Sequence, residues 1–354
     1  MYIDRIQLNN FRNYKKLDIS LNKNIDIIYG DNAQGKTNIL EAIFLCSFGK
    51  SFRTTKEKEM IKFDENNAVV EVQYKRKDRE GKIKIEIGEK KKITLNGIKI
   101  KKLSELLGNI NIVIFTPDDI DILKNGPANR RRFLDMMIGQ LRPNYVYNLN
   151  MYLKTIEQRN NYLRQIREEN KPEEMLDIWD EKLIEYGEKI YSYREEFIQK
   201  IINKINEIHS KITDSKEILK INYISDCNSK EEYLKLLKAR RKLDIIKGFT
   251  TKGIHRDDFV IYINGKEVNT YGSQGQNRTV ILSLKLAELN VIYDEIGEYP
   301  ILLLDDFMSE LDEKRRKNFL SNIRDTQVIL TGTEKIDLPN LEYNLYNIKK
   351  GEVL

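Results

Sequence analysis

Gly30-Asp31-Asn32-Ala33-Gln34-Gly35-Lys36-Thr37 fits the spacing G-x4-G-K-[ST]. Glycines at both ends let backbone N–H groups turn inward around an anion, and a helix N-terminus just beyond adds positive potential. Lys36 is then placed to neutralise the β- and γ-phosphates of a nucleotide, and the Thr37 hydroxyl to ligate Mg²⁺. A second constellation is Asp305-Asp306, carried at the end of Ile301-Leu302-Leu303-Leu304. Asp305 suits Mg²⁺ held through its water shell. Asp306 then orients or deprotonates the attacking water, which makes Lys36, Asp305 and Asp306 the catalytic candidates. A third is the small-residue turn Tyr271-Gly272-Ser273-Gln274-Gly275-Gln276. Ser273 and the amides of Gly275 and Gln276 form a second candidate anion cradle. A chain with its own phosphate loop does not need another cradle far along the sequence. Such a cradle makes sense if it closes on the nucleotide of another subunit, so a homodimer with ATP is expected.

These residues need a strand-rich frame. Ile25-Asp26-Ile27-Ile28-Tyr29 reads as a β-branched strand ending at Gly30, and a helix pattern runs from Lys36 through Leu45. Pro300-Ile301-Leu302-Leu303-Leu304 is continuously apolar, as a strand buried on both faces should be, and it delivers Asp305 and Asp306 where ligands bind in open α/β sheets. Gln327-Val328-Ile329-Leu330-Thr331 and Asn111-Ile112-Val113-Ile114-Phe115 read as further strands. Tyr2 to Leu8 alternates, residues 68 to 100 form a meander, and Asn96-Gly97 and Asn264-Gly265 are hairpin signals. A helix pattern occupies Gln276 to Ile296.

Between these halves the period changes. Leu176, Leu183, Ile190 and Phe197 fall at heptad spacing, interleaved by Trp179, Tyr186 and Tyr193. Leu149, Ile156 and Leu163, supported by Tyr152 and Ile166, repeat it, and Glu168-Glu169-Asn170-Lys171-Pro172 is the reversal. Two helices, each on the order of 50 Å, are expected as an antiparallel arm. The competing reading is an ordinary helical subdomain packed on the body. The predicted organisation is an α/β head from 1–116 and 249–354 with an inserted helical domain at 117–248.

The chain has 354 residues, which suggests roughly two domains. No uncharged apolar run approaches the roughly 18 residues of a membrane span, and the start lacks a secretory h-region. Two cysteines and two histidines exclude a disulfide framework and a zinc site. The chain reads as cytoplasmic. A net charge of +6 is a weak bias toward a polyanion. Basic residues gather at Lys99-Ile100-Lys101-Lys102, Arg130-Arg131-Arg132 and Lys238-Ala239-Arg240-Arg241-Lys242, each either a nucleic-acid contact or a solvated face.

The order of phosphate loop, helical insertion, Tyr271–Gln276 turn, Leu302-Leu303-Leu304-Asp305-Asp306 and Ser309-Glu310-Leu311-Asp312 resembles the ABC-type ATPases that handle DNA, the SMC-like group. Within that group the chain is similar to the RecF family of bacterial recombination mediators. Lys50-Ser51-Phe52-Arg53, Arg130–Asp135, Gly253-Ile254-His255-Arg256-Asp257-Asp258 and Tyr271–Thr279 carry this likeness. The resemblance implies ATP binding, slow hydrolysis, ATP-dependent dimerisation, binding at gapped double-stranded DNA or a single/double-strand junction, and a RecR-type partner. A weak, DNA-stimulated ATPase is expected, with ATP acting mainly as a dimerisation switch. Ile254 stands where that family commonly has Pro, and Thr331-Gly332-Thr333 lacks the switch histidine of transporters.

Rival readings are a transporter ATPase subunit, an SMC-like structural tether, and a GTPase reading Glu334-Lys335-Ile336-Asp337 as its guanine motif. Glu334 is wrong for the last, and the Tyr271–Gln276 turn has no role there. Arg12 and Arg53 flank the loop and are candidates to reach phosphate or adenine. His255 reads as a structural hydrogen-bonding residue rather than a ligand contact, while His209 and Cys46 read as ordinary core.

Overall fold

The computed structural model describes residues 1–214, 216–307, 319, 325–335 and 342–354. Ser309–Asp312 and residues 336–337 of the candidate guanine motif lie outside them. In chain order the strands begin with β1 (Tyr2–Phe11), β2 (Tyr14–Ser20), β3 (Ile25–Tyr29), β4 (Ala68–Lys75), β5 (Glu80–Ile87), β6 (Lys92–Leu95), β7 (Ile98–Lys99) and β8 (Ile112–Phe115). They continue with β9 (Leu219–Ile224), β10 (Asp258–Ile263), β11 (Lys266–Glu267), β12 (Ile301–Leu304), β13 (Val328–Gly332), β14 (Tyr343–Lys349) and β15 (Glu352–Val353). The helices are α1 (Lys36–Phe48), α2 (Asp121–Lys124), α3 (Pro127–Gly139), α4 (Pro143–Glu169), α5 (Leu176–Thr213), α6 (Lys230–Lys247), α7 (Val268–Tyr271) and α8 (Gln274–Ile296).

Two compact units result: Met1–Asp119 with Ser283–Leu354, and Ile120–Leu282. The first holds two sheets. One is largely parallel, in the order β15-β14-β3-β13-β12-β8. Strands β13, β12 and β8 are buried throughout and β3 almost so, which is why they read as apolar runs broken in β3 by Asp26. The other is antiparallel, in the order β2-β1-β4-β5-β6-β7, and β4 alternates buried and half-buried residues along its length. Helix α1 touches both sheets and is buried almost all round from Ile39 to Phe48, as an apolar helix between two layers must be. The Asn96-Gly97 hairpin forms as expected, with φ of 51° and 83° at its two central residues.

The second unit is helical, with the three-stranded sheet β11-β10-β9. Helices α4 and α5 are 27 and 38 residues long, or about 40 and 57 Å at the α-helical rise. They form the expected hairpin, and the heptad residues Leu176, Leu183, Ile190 and Phe197 are buried. Its tip is closed by Leu163, Ile166 and Leu176 packed with Trp179 and with Ile245 of α6. The interior is also polar, which a simple two-helix seam would not be. Arg159 donates to Asp180 at 2.7 Å and to Asp244 at 2.8 Å, all three fully buried. The unit boundary falls inside α8, after Leu282, so residues 249–282 group with the helices rather than with the α/β unit expected for them.

Candidate nucleotide site

The phosphate loop leaves the C-terminal end of β3 and runs into α1, with Gly30 at φ 147° and Gly35 at φ 111°. Both glycines are required by space as well as by φ. A Cβ at Gly30 would sit 2.3 Å from the carbonyl oxygen of Ile348, and one at Gly35 would sit 2.5 Å from the Asn13 side chain. Asn13 itself was not singled out by its sequence context. It follows β1, donates from Nδ2 to the Gln34 carbonyl at 2.6 Å, and accepts from Asn38 Nδ2 at 2.8 Å. Tyr14 donates to the Gly35 carbonyl at 3.1 Å, and the Lys350 amide donates to Gln34 Oε1 at 2.6 Å. The loop is thus braced from outside itself.

Lys36 Nζ donates to the carbonyls of Gly30 at 2.5 Å and Asp31 at 2.9 Å. Burial lowers its pKa, while the carboxylates of Asp306, Asp305 and Asp31 pull it back up. Thr37 Oγ1 donates to Asp305 Oδ1 at 2.7 Å, and Thr331 Oγ1 donates to the same oxygen at 2.9 Å. Strand β13 lies between β3 and β12, which is what brings Thr331 to this point. The Asp306 amide donates to Thr331 Oγ1 at 3.0 Å. Burial raises the Asp305 carboxyl, Thr37 and Thr331 lower it by hydrogen bonding, and Asp306 raises it further. A hydroxyl and a carboxylate oxygen at this separation are the hard donors that Mg²⁺ prefers, so the residues fit that ion.

Arg12 is committed elsewhere. It forks onto buried Glu41 at 2.9 and 2.6 Å and donates to the Glu59 carbonyl at 2.6 Å. Arg53 donates to Asn38 Oδ1 at 2.7 Å and keeps an exposed side chain, so of the two it alone remains near the loop and reachable.

The Tyr271–Gln276 turn belongs to the helical unit and opens α8. It is a reciprocal capping box: the Gln276 amide donates to Ser273 Oγ at 3.2 Å, and the Ser273 amide to Gln276 Oε1 at 2.9 Å. The Gln276 amide is therefore engaged within the turn, whereas the exposed Ser273 hydroxyl still has a proton to donate. Gln276 Nε2 also donates to Glu217 at 2.8 Å, and Glu217 pairs with His209 at 3.1 Å. His209, read as ordinary core, links the end of α5 to this turn.

A DNA replication and repair protein RecF from Acetivibrio thermocellus is 44% identical over 359 residues, covering 98% of this chain and 97% of the relative. The chain belongs to the RecF family. The family model described as RecF/RecN/SMC N terminal domain matches residues 2–350. The Clostridium kluyveri RecF is likewise 44% identical, over 100% of this chain and 99% of its own. Among solved structures, the recombination mediator protein RecF-ATP of the RecFOR pathway aligns with TM-score 0.93 and 40% identity, covering 99% of this chain and 96% of that one. An Smc head domain from Pyrococcus furiosus aligns at TM-score 0.58 and 17% identity over 99% of this chain and 95% of its own, a likeness of fold alone. The fold is the ABC-type P-loop ATPase head with an inserted helical subdomain.

Within this RecF-family chain the Arg130–Arg132 cluster is not the basic patch its sequence suggested. Arg130 is buried and forks onto Asp258, and it also donates to the Ile122 carbonyl at 3.1 Å. Arg131 donates to the Asp257 carbonyl at 2.8 Å, and Arg132 alone is exposed. Arg241 pairs with Asp177 and Asp180, leaving Lys238, Arg240 and Lys242 exposed in its run. Lys99, Lys101 and Lys102 are exposed. His255 Nε2 donates to the Thr250 carbonyl and its Nδ1 meets the Tyr152 hydroxyl, 3.1 Å in each case, and burial lowers its pKa to about 4. No helix among the described residues is long and apolar enough to cross a membrane.

Proposed function

We propose that this chain is an ATP-dependent recombination mediator that binds double-stranded DNA at a gap or single/double-strand junction. The carrying observation is the 2.7 Å contact of the loop hydroxyl Thr37 with Asp305, flanked by Asp306 and Lys36. In this reading Gly30 to Thr37 cradle the triphosphate, and Lys36 leaves the loop carbonyls to meet the β- and γ-phosphates. Mg²⁺, held by Thr37 and Asp305, would supply charge neutralisation for phosphoryl transfer. Asp306 takes the proton of the attacking water. Ser273 and the Gly275 amide complete the site from a second copy, so ATP bridges two chains and slow hydrolysis, stimulated weakly by DNA, separates them. A RecR-type protein is the expected partner on DNA. The domain division into a head and an inserted arm serves this cycle.

Sedimentation tests the shared site. The wild-type chain should be monomeric without nucleotide and dimeric with ATP and Mg²⁺. Ser273→Arg fills the cradle and should stay monomeric while binding ATP normally, whereas Lys36→Ala should stay monomeric because it binds none. A normal ATP-dependent dimer from Ser273→Arg would remove the trans role of this turn.

A further inference from the structure

The stretch Gly253–Asp258 is almost wholly consumed inside the helical unit. A Cβ at Gly253 would meet the Tyr233 hydroxyl at 2.1 Å, and His255 sits between Tyr152 and Thr250. Asp257 receives Arg194 at 2.9 Å, and Asp258 receives Arg130. Arg256 is the exception: it is exposed and has no carboxylate partner among the described residues. It lies over the ring of Phe249, 5.7 Å from the centroid, and Lys247, equally without a carboxylate, lies over the same ring at 6.0 Å. The buried or half-buried Arg130, Arg159, Arg194 and Arg241 of this unit, by contrast, each have carboxylate partners. Arg256 and Lys247 instead rest on an aromatic plinth, which orders two flexible cations without neutralising them.

Both line a pocket of about 400 Å³ together with Phe249, Lys252, Asp226 and Ile224. Its acid, Asp226, is already taken by Lys252 at 3.0 Å. The pocket is thus left with surplus positive charge beside an apolar wall, since Phe249 and Ile224 are 39% and 53% exposed. We propose that this pocket holds a phosphate of single-stranded DNA, clamped by Lys247 and Arg256, with the adjoining base against Phe249 and Ile224. Duplex DNA keeps its bases stacked inside and has no use for the apolar wall, whereas an unpaired strand offers both charge and a base face. An acidic peptide could satisfy the Arg fork, which fits carboxylate and phosphate alike, but its carboxylates bring no flat base face to Phe249 and Ile224. The inference rests on the DNA-binding reading above and assigns the unpaired strand beside a gap to the helical unit.

The test is fluorescence anisotropy of short labelled oligothymidylate and of blunt duplex, with ATP and Mg²⁺ across a salt series. Lys247→Glu with Arg256→Glu should weaken oligothymidylate about tenfold or more and make the log–log salt slope shallower by about one to two. Phe249→Ala removes no charge, yet should weaken it about tenfold through lost stacking, and Phe249→Tyr should restore it. Duplex affinity should change little in all of these. Lys238→Glu with Arg240→Glu, the same charge change on exposed positions of α6, should leave oligothymidylate binding near wild type. Equal losses in both double variants, or an unchanged Phe249→Ala, would overturn the clamp. So would displacement of the oligonucleotide by poly-glutamate as readily as by unlabelled oligothymidylate, or by inorganic phosphate at equal phosphate concentration. Wild type that binds duplex normally beside unaffected pocket variants sinks this inference alone; wild type that binds no DNA sinks the parent reading with it.

Discussion

At the residue scale the two adjacent carboxylates are distinguished by what surrounds them. Asp305 Oδ1 accepts from both Thr37 and Thr331, so it is aimed at the phosphate loop and held there. Asp306 sits at φ 51° and donates its amide to Thr331 Oγ1 at 3.0 Å, a different tie from that of the Asp305 carboxylate. Asparagine tolerates this left-handed conformation nearly as well as aspartate, so Asp306→Asn changes chemistry without straining the chain. It should bind nucleotide with wild-type affinity and hydrolyse it about a hundredfold more slowly, the ordinary loss when a general base is removed. Single-turnover hydrolysis beside equilibrium nucleotide binding checks this. Loss of binding would reverse the roles given to the two residues.

Elements here are positioned by polar cores as much as by apolar ones. Helix α5 is tied to the rest of its unit by Arg194, which donates to Tyr145 at 3.0 Å and to the Ile254 carbonyl, Asp257 and Asp135 at 2.9 Å each. Tyr223 donates to the same Asp257 oxygen at 2.5 Å. Removing the guanidinium leaves Asp257 buried without its charge partner, and that desolvation is the main cost. Arg194→Met should therefore lower stability by about 3–5 kcal/mol, read from denaturant midpoints of the helical transition. Arg194→Lys keeps the charge but lacks the fork and should recover only part of it. A loss within experimental error for Arg194→Met would mean the pair is replaceable by packing. The Arg130–Arg132 run belongs to this level too: Arg130 and Arg131 tie α3 to Asp258 and to the Asp257 carbonyl, and of the three only Arg132 is exposed.

Across the whole molecule, buried titratable groups set how stability follows pH. His255 is held neutral, its pKa lowered to about 4 by burial from an ordinary 6.5. Between those values the unfolded chain binds a proton that the native one refuses, so this group's contribution is present above about 6.5 and is lost as pH falls toward 4. His209, also lowered by burial, acts in the same direction. Asp26 and Glu288, raised to about 7 by burial, act oppositely, gaining stability as pH falls below that value. The difference between wild type and His255→Gln isolates the histidine. Thermal unfolding of the variant should show a shallower loss between pH 6.5 and 4 than wild type, and parallel curves would refute the assignment.

What the sequence determined by itself was local. The loop Gly30–Thr37, the apolar strand before Asp305 and the Asn-Gly hairpins are each written in adjacent residues, because steric limits on φ, side-chain period and backbone donors act over a few positions. The heptads of α4 and α5 were legible for the same reason, through the fixed pitch of a helix. Strands β2 and β14 were not, since their alternation is weak and partners define them. Tertiary structure alone decided that β13 would slot between β3 and β12 and carry Thr331 to Asp305, and that Asn13 would brace a loop well along the chain. It also decided the fate of charge. A run of arginines looks the same whether it faces solvent or a carboxylate 128 residues away, as Arg130 faces Asp258, because burial and pairing are properties of contacts between distant segments.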